Sequence, residues 1–65
     1  MIRVEHIGIA VKDIEAANSL YTKLLGVSPY KMEVVESESV NTSFFKVGEN
    51  KVELLEASDE NSSIL

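Results

Sequence analysis

The residues best suited to chemistry in this chain are His6 and Glu53. His6 is the single histidine, and a neutral imidazole binds divalent metals or serves as a base near neutral pH. It is also compatible with a plain structural role, half-buried in a strand and satisfied by one hydrogen bond. Glu53 stands inside the apolar run Val52-Glu53-Leu54-Leu55. A carboxylate buried there without a partner would be costly. Pointing into water beside Lys51 it would be ordinary, but Leu55 shares its face, so that face is not simply polar. If their strands are neighbours, His6 and Glu53 project from one sheet face. One imidazole and one carboxylate are half of the donor set that a divalent metal needs.

Other residues offer less. Ser62-Ser63 has no base or oxyanion pattern around it, which argues against a serine nucleophile. Gly8, Gly26 and Gly48 form no phosphate-binding pattern. Tyr21 and Tyr30 read as packing residues. Phe44 and Phe45 are consecutive, so in a strand one joins the core and the other lines a pocket or an interface.

The elements that must position these groups follow from local patterns. Residues 2–10 read as a strand, with Ile2, Val4, His6 and Gly8 on one face and Arg3, Glu5, Ile7 and Ile9 on the other. Burial on the second face should begin near Ile7. Asp13 is a good helix N-cap, and Ile14, Ala17, Tyr21 and Leu24 recur at helical spacing, widened by Leu20 and Leu25. Gly26 follows, where a left-handed cap is expected. The predicted helix spans about 13–25. Three strands should follow, over about 30–37, 40–47 and 51–56, with Pro29 before the first and a three-residue loop, Gly48-Glu49-Asn50, between the last two. Residues 58–65 are polar and Ser-rich until Ile64 and Leu65, and read as a tail or linker.

The expected fold class is α+β: a single βαβββ module over residues 1–57, with one helix on one face of a four-stranded mixed sheet. The helix covers one face. The other face must meet solvent, a ligand or a second protein.

Composition sets limits. Sixty-five residues, 45% hydrophobic and 26% charged, make one small globular domain rather than a disordered segment. A core of this size is marginal without a staple. There are no cysteines, so disulfides and thiolate zinc sites are excluded. The net charge is −5, without the basic stripe of a nucleic-acid binder. No apolar run is long enough to span a bilayer, and the N-terminus has no signal-peptide pattern. These features predict a cytoplasmic protein with no nucleic-acid or membrane partner.

The run His6-Ile7-Gly8-Ile9-Ala10-Val11-Lys12-Asp13-Ile14-Glu15-Ala16-Ala17, then Tyr21-Thr22-Lys23-Leu24-Leu25-Gly26-Val27, resembles the opening of the vicinal oxygen chelate (glyoxalase/bleomycin resistance/dioxygenase) superfamily. Lys51-Val52-Glu53-Leu54-Leu55-Glu56 continues the match. Within the superfamily, the first run together with Val52-Glu53-Leu54-Leu55-Glu56 and Ser62-Ser63-Ile64 is most similar to the methylmalonyl-CoA epimerase family. The resemblance implies a module that works in pairs, with the paired sheets forming a cupped site. It implies that His6 and Glu53 are metal ligands and that Glu53 is also a candidate for proton transfer. The cofactor would be a divalent ion such as Co, Ni, Mn or Zn, and the substrate an acyl-CoA whose α-proton is removed through a metal-stabilised enediolate. Some epimerases carry a glutamate base on the strand corresponding to 40–47, where this chain has Asn41, Thr42 and Ser43. The chain corresponds to a first half, inactive without its second module. Its open sheet face is expected to drive a homodimer or higher oligomer. A glyoxalase I-type lactoylglutathione lyase and a non-catalytic bleomycin-resistance-type binding module are the alternatives that the same resemblance allows.

Overall fold

The computed structural model describes residues 6–59 and 62. Strand β1 (His6–Val11) leads into helix α1 (Ile14–Leu25). Strand β2 (Lys31–Val35), a single 3-10 turn (Glu36–Glu38), strand β3 (Val40–Val47) and strand β4 (Asn50–Ala57) follow. The sheet order is β1-β4-β3-β2. β1 runs parallel to β4, and the other two pairs are antiparallel. The expected βαβββ module with a mixed sheet is what forms. The predicted residues 2–5 of the first strand lie outside the described residues, as does most of the tail expected over 58–65.

The helix begins where its caps dictate. Asp13 Oδ1 accepts from the backbone N–H groups of Glu15 and Ala16 at 3.0 and 3.1 Å, satisfying two of the orphan donors of the first turn. A third, the N–H of Ile14, donates to Glu56 Oε2 on β4 at 3.0 Å. At the other end Gly26 takes φ 73 and donates to the Thr22 carbonyl at 2.9 Å, a left-handed cap that disfavours a side chain.

The helix packs with Ile14, Ala17, Asn18, Tyr21 and Leu25 half-buried, while Leu20 and Leu24 stay 53% and 68% exposed. The expected stripe is thus rotated: its buried line runs 14, 18, 21, 25 and takes in a polar residue, Asn18. The reason is placement. The helix lies over β3 and β4, where the Tyr21 ring meets Phe45 at 6.4 Å between centroids, and it touches β2 through Asn18, whose Nδ2 donates to Met32 Sδ at 3.7 Å. Met32 and Val34, on the same side of the sheet, are each 67% exposed. Ile7, expected to start the buried face, is 51% exposed for the same reason at the opposite edge. The buried hydrophobic residues among those described are Val40, Phe45 and Leu54.

Two predicted boundaries shift. Residues 36–37 belong to the 3-10 turn rather than to β2, because Ser39 adopts a left-handed φ of 53 and its N–H closes on the Glu36 carbonyl at 3.2 Å. The β3–β4 loop has two residues rather than three. Val47 pairs with Asn50, and Gly48 supplies the positive φ of 62 at the first turn position. Among the described residues no helix is long and apolar enough to cross a membrane.

Candidate metal centre

The parallel β1–β4 pair sets the site. Its register aligns His6 with Lys51, Gly8 with Glu53 and Ala10 with Leu55. Aligned residues on adjacent strands project from the same face, so His6 and Glu53 stand on one side, one step apart along the strands. Phe45 and Leu54 point to the helix side, which leaves His6 and Glu53 on the open side. Their side chains meet: His6 Nε2 lies 3.0 Å from Glu53 Oε1. His6 is 55% exposed and Glu53 20%. A protonated Nε2 donates to the carboxylate in this geometry.

Gly8 flanks the pair. It sits directly opposite Glu53 without a side chain, and a Cβ there would come within 3.4 Å of Leu55 Cδ1. On the other flank of Glu53 the register places Phe44, half-buried, with its ring 6.2 Å from that of Tyr30 and Lys31 Nζ 5.5 Å from its centroid. Phe44 is therefore the phenylalanine of the open face and Phe45 that of the core.

The three residues found where some epimerases carry a glutamate base divide between faces. Thr42 aligns with Leu55 on the open face, whereas Asn41 and Ser43 align with Glu56 and Leu54 on the helix face. Thr42 is 4% exposed, and its hydroxyl donates to the Glu33 carbonyl at 3.3 Å. Asn41 donates to Glu56 Oε1 at 2.8 Å and so holds the carboxylate that caps the helix. None of the three is an acid or base.

Tests of the donor set against a divalent ion give half a site. The donors are a borderline imidazole nitrogen and a hard carboxylate oxygen, which suit first-row divalent metals. Two ligands each about 2.1 Å from an ion and at right angles would lie ~3 Å apart, the separation that Nε2 and Oε1 already have. Among the described residues no third His, Cys, Asp or Glu joins them. The pair fits a metal that receives its remaining donors from elsewhere.

A concavity lies on the opposite side of the sheet. A cleft of about 520 Å³ opens between α1 and the uncovered part of β2, lined by Ile14, Asn18, Met32, Val34, Asn41 and Ser43 among others. Ser43 Oγ and Asn18 Oδ1 are buried there without hydrogen-bond partners. Its ionisable lining residues are Glu15 and Glu33, and no histidine lines it.

Sequence reading did not single out Lys46 and Lys51, which pair across β3 and β4 on the open face. Strand alternation alone assigns Lys51 to the face of Glu53 and Lys46 to that of Phe44. What alternation could not supply is that the two face each other.

Comparison with known proteins agrees with this fold. The chain is 46% identical over 56 residues to the protein YqjC of Bacillus subtilis (strain 168), covering 86% of this chain and 40% of that one. It is 32% identical over 62 residues to the mitochondrial methylmalonyl-CoA epimerase of Mus musculus, covering 95% of this chain and 35% of the relative. Among solved structures, a hypothetical protein of Bacillus halodurans C-125 superposes with a TM-score of 0.85 at 39% identity, over 95% of this chain and 45% of that one. Streptomyces coelicolor methylmalonyl-CoA epimerase, solved with 2-nitronate-propionyl-CoA, gives 0.81 at 32% identity, over 92% and 46%. The chain spans less than half the length of each of these relatives. Residues 5–65 match the family profile as well, and the chain belongs to the glyoxalase/bleomycin resistance protein/dioxygenase superfamily.

Proposed function

We propose that this chain is the first module of a metal-dependent methylmalonyl-CoA epimerase, which interconverts the two epimers by removing and returning the α-proton. The observation that carries the proposal is the meeting of His6 Nε2 and Glu53 Oε1 at 3.0 Å on the open sheet face. The similarity to epimerases over nearly the whole chain supports it.

In this reading His6 and Glu53 hold a divalent ion, Co, Ni, Mn or Zn. When bound, the ion supplies Lewis-acid stabilisation of the negative charge that develops as the α-proton leaves. Glu53 is also the proton-transfer candidate, and the 3.0 Å contact with His6 Nε2 places both side chains at one point of the open face. Partial burial of Glu53, 20% exposed, limits competition from water. Gly8 leaves the space beside Glu53 open to the substrate, and Phe44 walls its other flank. A second copy of the module, or a second module of its kind, would close the cup. Paired by two-fold symmetry over the open face, it would bring a second His6 and Glu53 to complete the donor set.

The test is α-proton exchange. A two-module protein containing this chain is incubated with methylmalonyl-CoA in deuterium oxide with cobalt(II), and deuterium at the α-carbon is followed by mass spectrometry. Exchange that disappears in His6→Ala and Glu53→Gln is expected. Conversion of methylglyoxal-glutathione hemithioacetal without exchange on methylmalonyl-CoA would assign a lyase instead.

A further inference from the structure

Two polar side chains stand where helix and sheet would otherwise pack apolar groups together. Asn18 lies on the buried line of α1, between Ile14 and Tyr21. Ser43 is fully buried on β3, aligned with Met32 on one side and Leu54 on the other. Among the described residues, Ser43 Oγ and Asn18 Oδ1 are buried without a hydrogen-bond partner. An unmatched buried polar atom is costly, and folded proteins keep few of them. Here both residues line a single cleft of about 520 Å³, inside the ~300–1,000 Å³ range of small-molecule sites.

The chemistry of the cleft selects its occupant. Asn18 Nδ2 donates to Met32 Sδ at 3.7 Å. A thioether sulfur only accepts, so this contact orients the amide and leaves Oδ1, an acceptor, unmet. The Ser43 hydroxyl accepts as well. Glu15 and Glu33 line the cleft and no Lys or Arg does. Glu33 already pairs with Lys31 at 3.6 Å, while Glu15 is exposed in the first turn of α1. A carboxylate or phosphate entering here would meet acceptors and negative charge. An ester or ketone brings no donor, and a hydroxyl brings one donor for two acceptors. A primary ammonium brings three donors and a complementary charge. Met32 is unbranched and 67% exposed, an adaptable wall that can swing aside to admit a ligand.

We infer that the cleft between α1 and β2 binds a small aliphatic primary amine, whose ammonium group donates to Asn18 Oδ1 and Ser43 Oγ. Its apolar body lies against Ile14, Met32 and Val34, which line the same cleft. The site is on the face of the sheet away from His6 and Glu53, so it stands whether or not the epimerase reading holds.

The test is an NMR titration of the chain at neutral pH with three probes of similar apolar body: isoamylamine, isoamyl alcohol and isovalerate. Isoamylamine should give saturable shifts centred on the amides of Asn18, Met32 and Ser43. It should bind about tenfold more tightly than the alcohol, since hydrogen bonds from a charged donor are the stronger ones, and isovalerate should not bind. Ser43→Ala should weaken the amine by roughly three- to tenfold. Asn18→Leu should abolish amine binding and raise the melting temperature, because it replaces an unmatched buried acceptor with an apolar group. Amine shifts that do not saturate, that centre on the open face, or that survive both substitutions overturn the site. Alcohol or isovalerate binding as tightly as the amine overturns the ammonium assignment. Shifts at these three amides that grow with protein concentration in the absence of any probe assign the cleft to a second copy of the chain and overturn the ligand. If a variant fails to fold, the shift map and the ranking of the three probes on the unmodified chain decide the matter.

Discussion

Gly8 stands opposite Glu53 across the parallel β1–β4 pair, the one position beside the carboxylate where the sheet presents no side chain. The β1 backbone gives no conformational reason for glycine there, since the positive-φ glycines are Gly26 and Gly48. A Cβ would meet Leu55 at 3.4 Å, an ordinary contact. A larger side chain at this position would extend over the open face beside Glu53. Gly8→Val is therefore expected to keep the fold and to lower cobalt(II) affinity by at least about tenfold, or ~1.4 kcal/mol. Circular dichroism reads the first and titration calorimetry the second. Unchanged affinity would mean that the space above Gly8 is not part of the site.

Helix α1 is anchored by a carboxylate far away in sequence. Glu56 accepts from the Ile14 N–H at 3.0 Å and from the Asn41 side chain at 2.8 Å, and it is partly buried. Glu56→Ala would leave two donors unmatched, at a cost of about 1–3 kcal/mol. Asp13→Ala removes a solvent-exposed N-cap, worth ~1 kcal/mol. Urea denaturation of the two variants should rank Glu56→Ala as the more damaging. The opposite order would show that the local cap dominates.

The core has little in reserve. Phe45 and Leu54 are fully buried on the helix side, and a domain of this size has only about 3–5 kcal/mol of stability to lose. Leu54→Ala costs roughly 2–5 kcal/mol. The expected result is a chain unfolded at room temperature, seen as loss of amide dispersion in an NMR spectrum. A folded Leu54→Ala variant would show that contacts outside the described residues carry much of the stability.

Much of this arrangement is legible in the sequence. Period two put His6 with Gly8 and Glu53 with Leu55, and Asp13 and Gly26 marked the helix ends through their side-chain and backbone chemistry. Glu56 was not legible as a cap, because its partners Ile14 and Asn41 are brought to it by tertiary structure. The buried line of α1 could not be fixed either. Leu20 and Leu24 fit an apolar stripe as well as Asn18 does not, and which of them faces the sheet depends on where the helix lies over β3 and β4. The alignment of Lys46 with Lys51 needed the register, which the two-residue turn at Gly48-Glu49 sets. A third loop residue would have slipped it by one and turned one of the lysines to the helix side.

In the function proposed here, a half-site would make metal binding and self-association one equilibrium. His6 and Glu53 supply two donors, and among the described residues no third joins them. A metal that seeks more ligands binds a symmetric pair of chains better than a single one, and whatever binds the pair preferentially stabilises it. Cobalt(II) should therefore shift the sedimentation of the chain from monomer toward dimer, and His6→Ala should abolish the shift. Apolar association is a separate route, since Met32 and Val34 are exposed on the helix side. Met32→Lys with Val34→Lys removes that route without touching His6 or Glu53. Metal-dependent dimerisation that persists in the double variant places the interface on the open sheet face. Dimerisation that vanishes there and ignores cobalt(II) would assign it to the helix side and leave each His6–Glu53 pair alone.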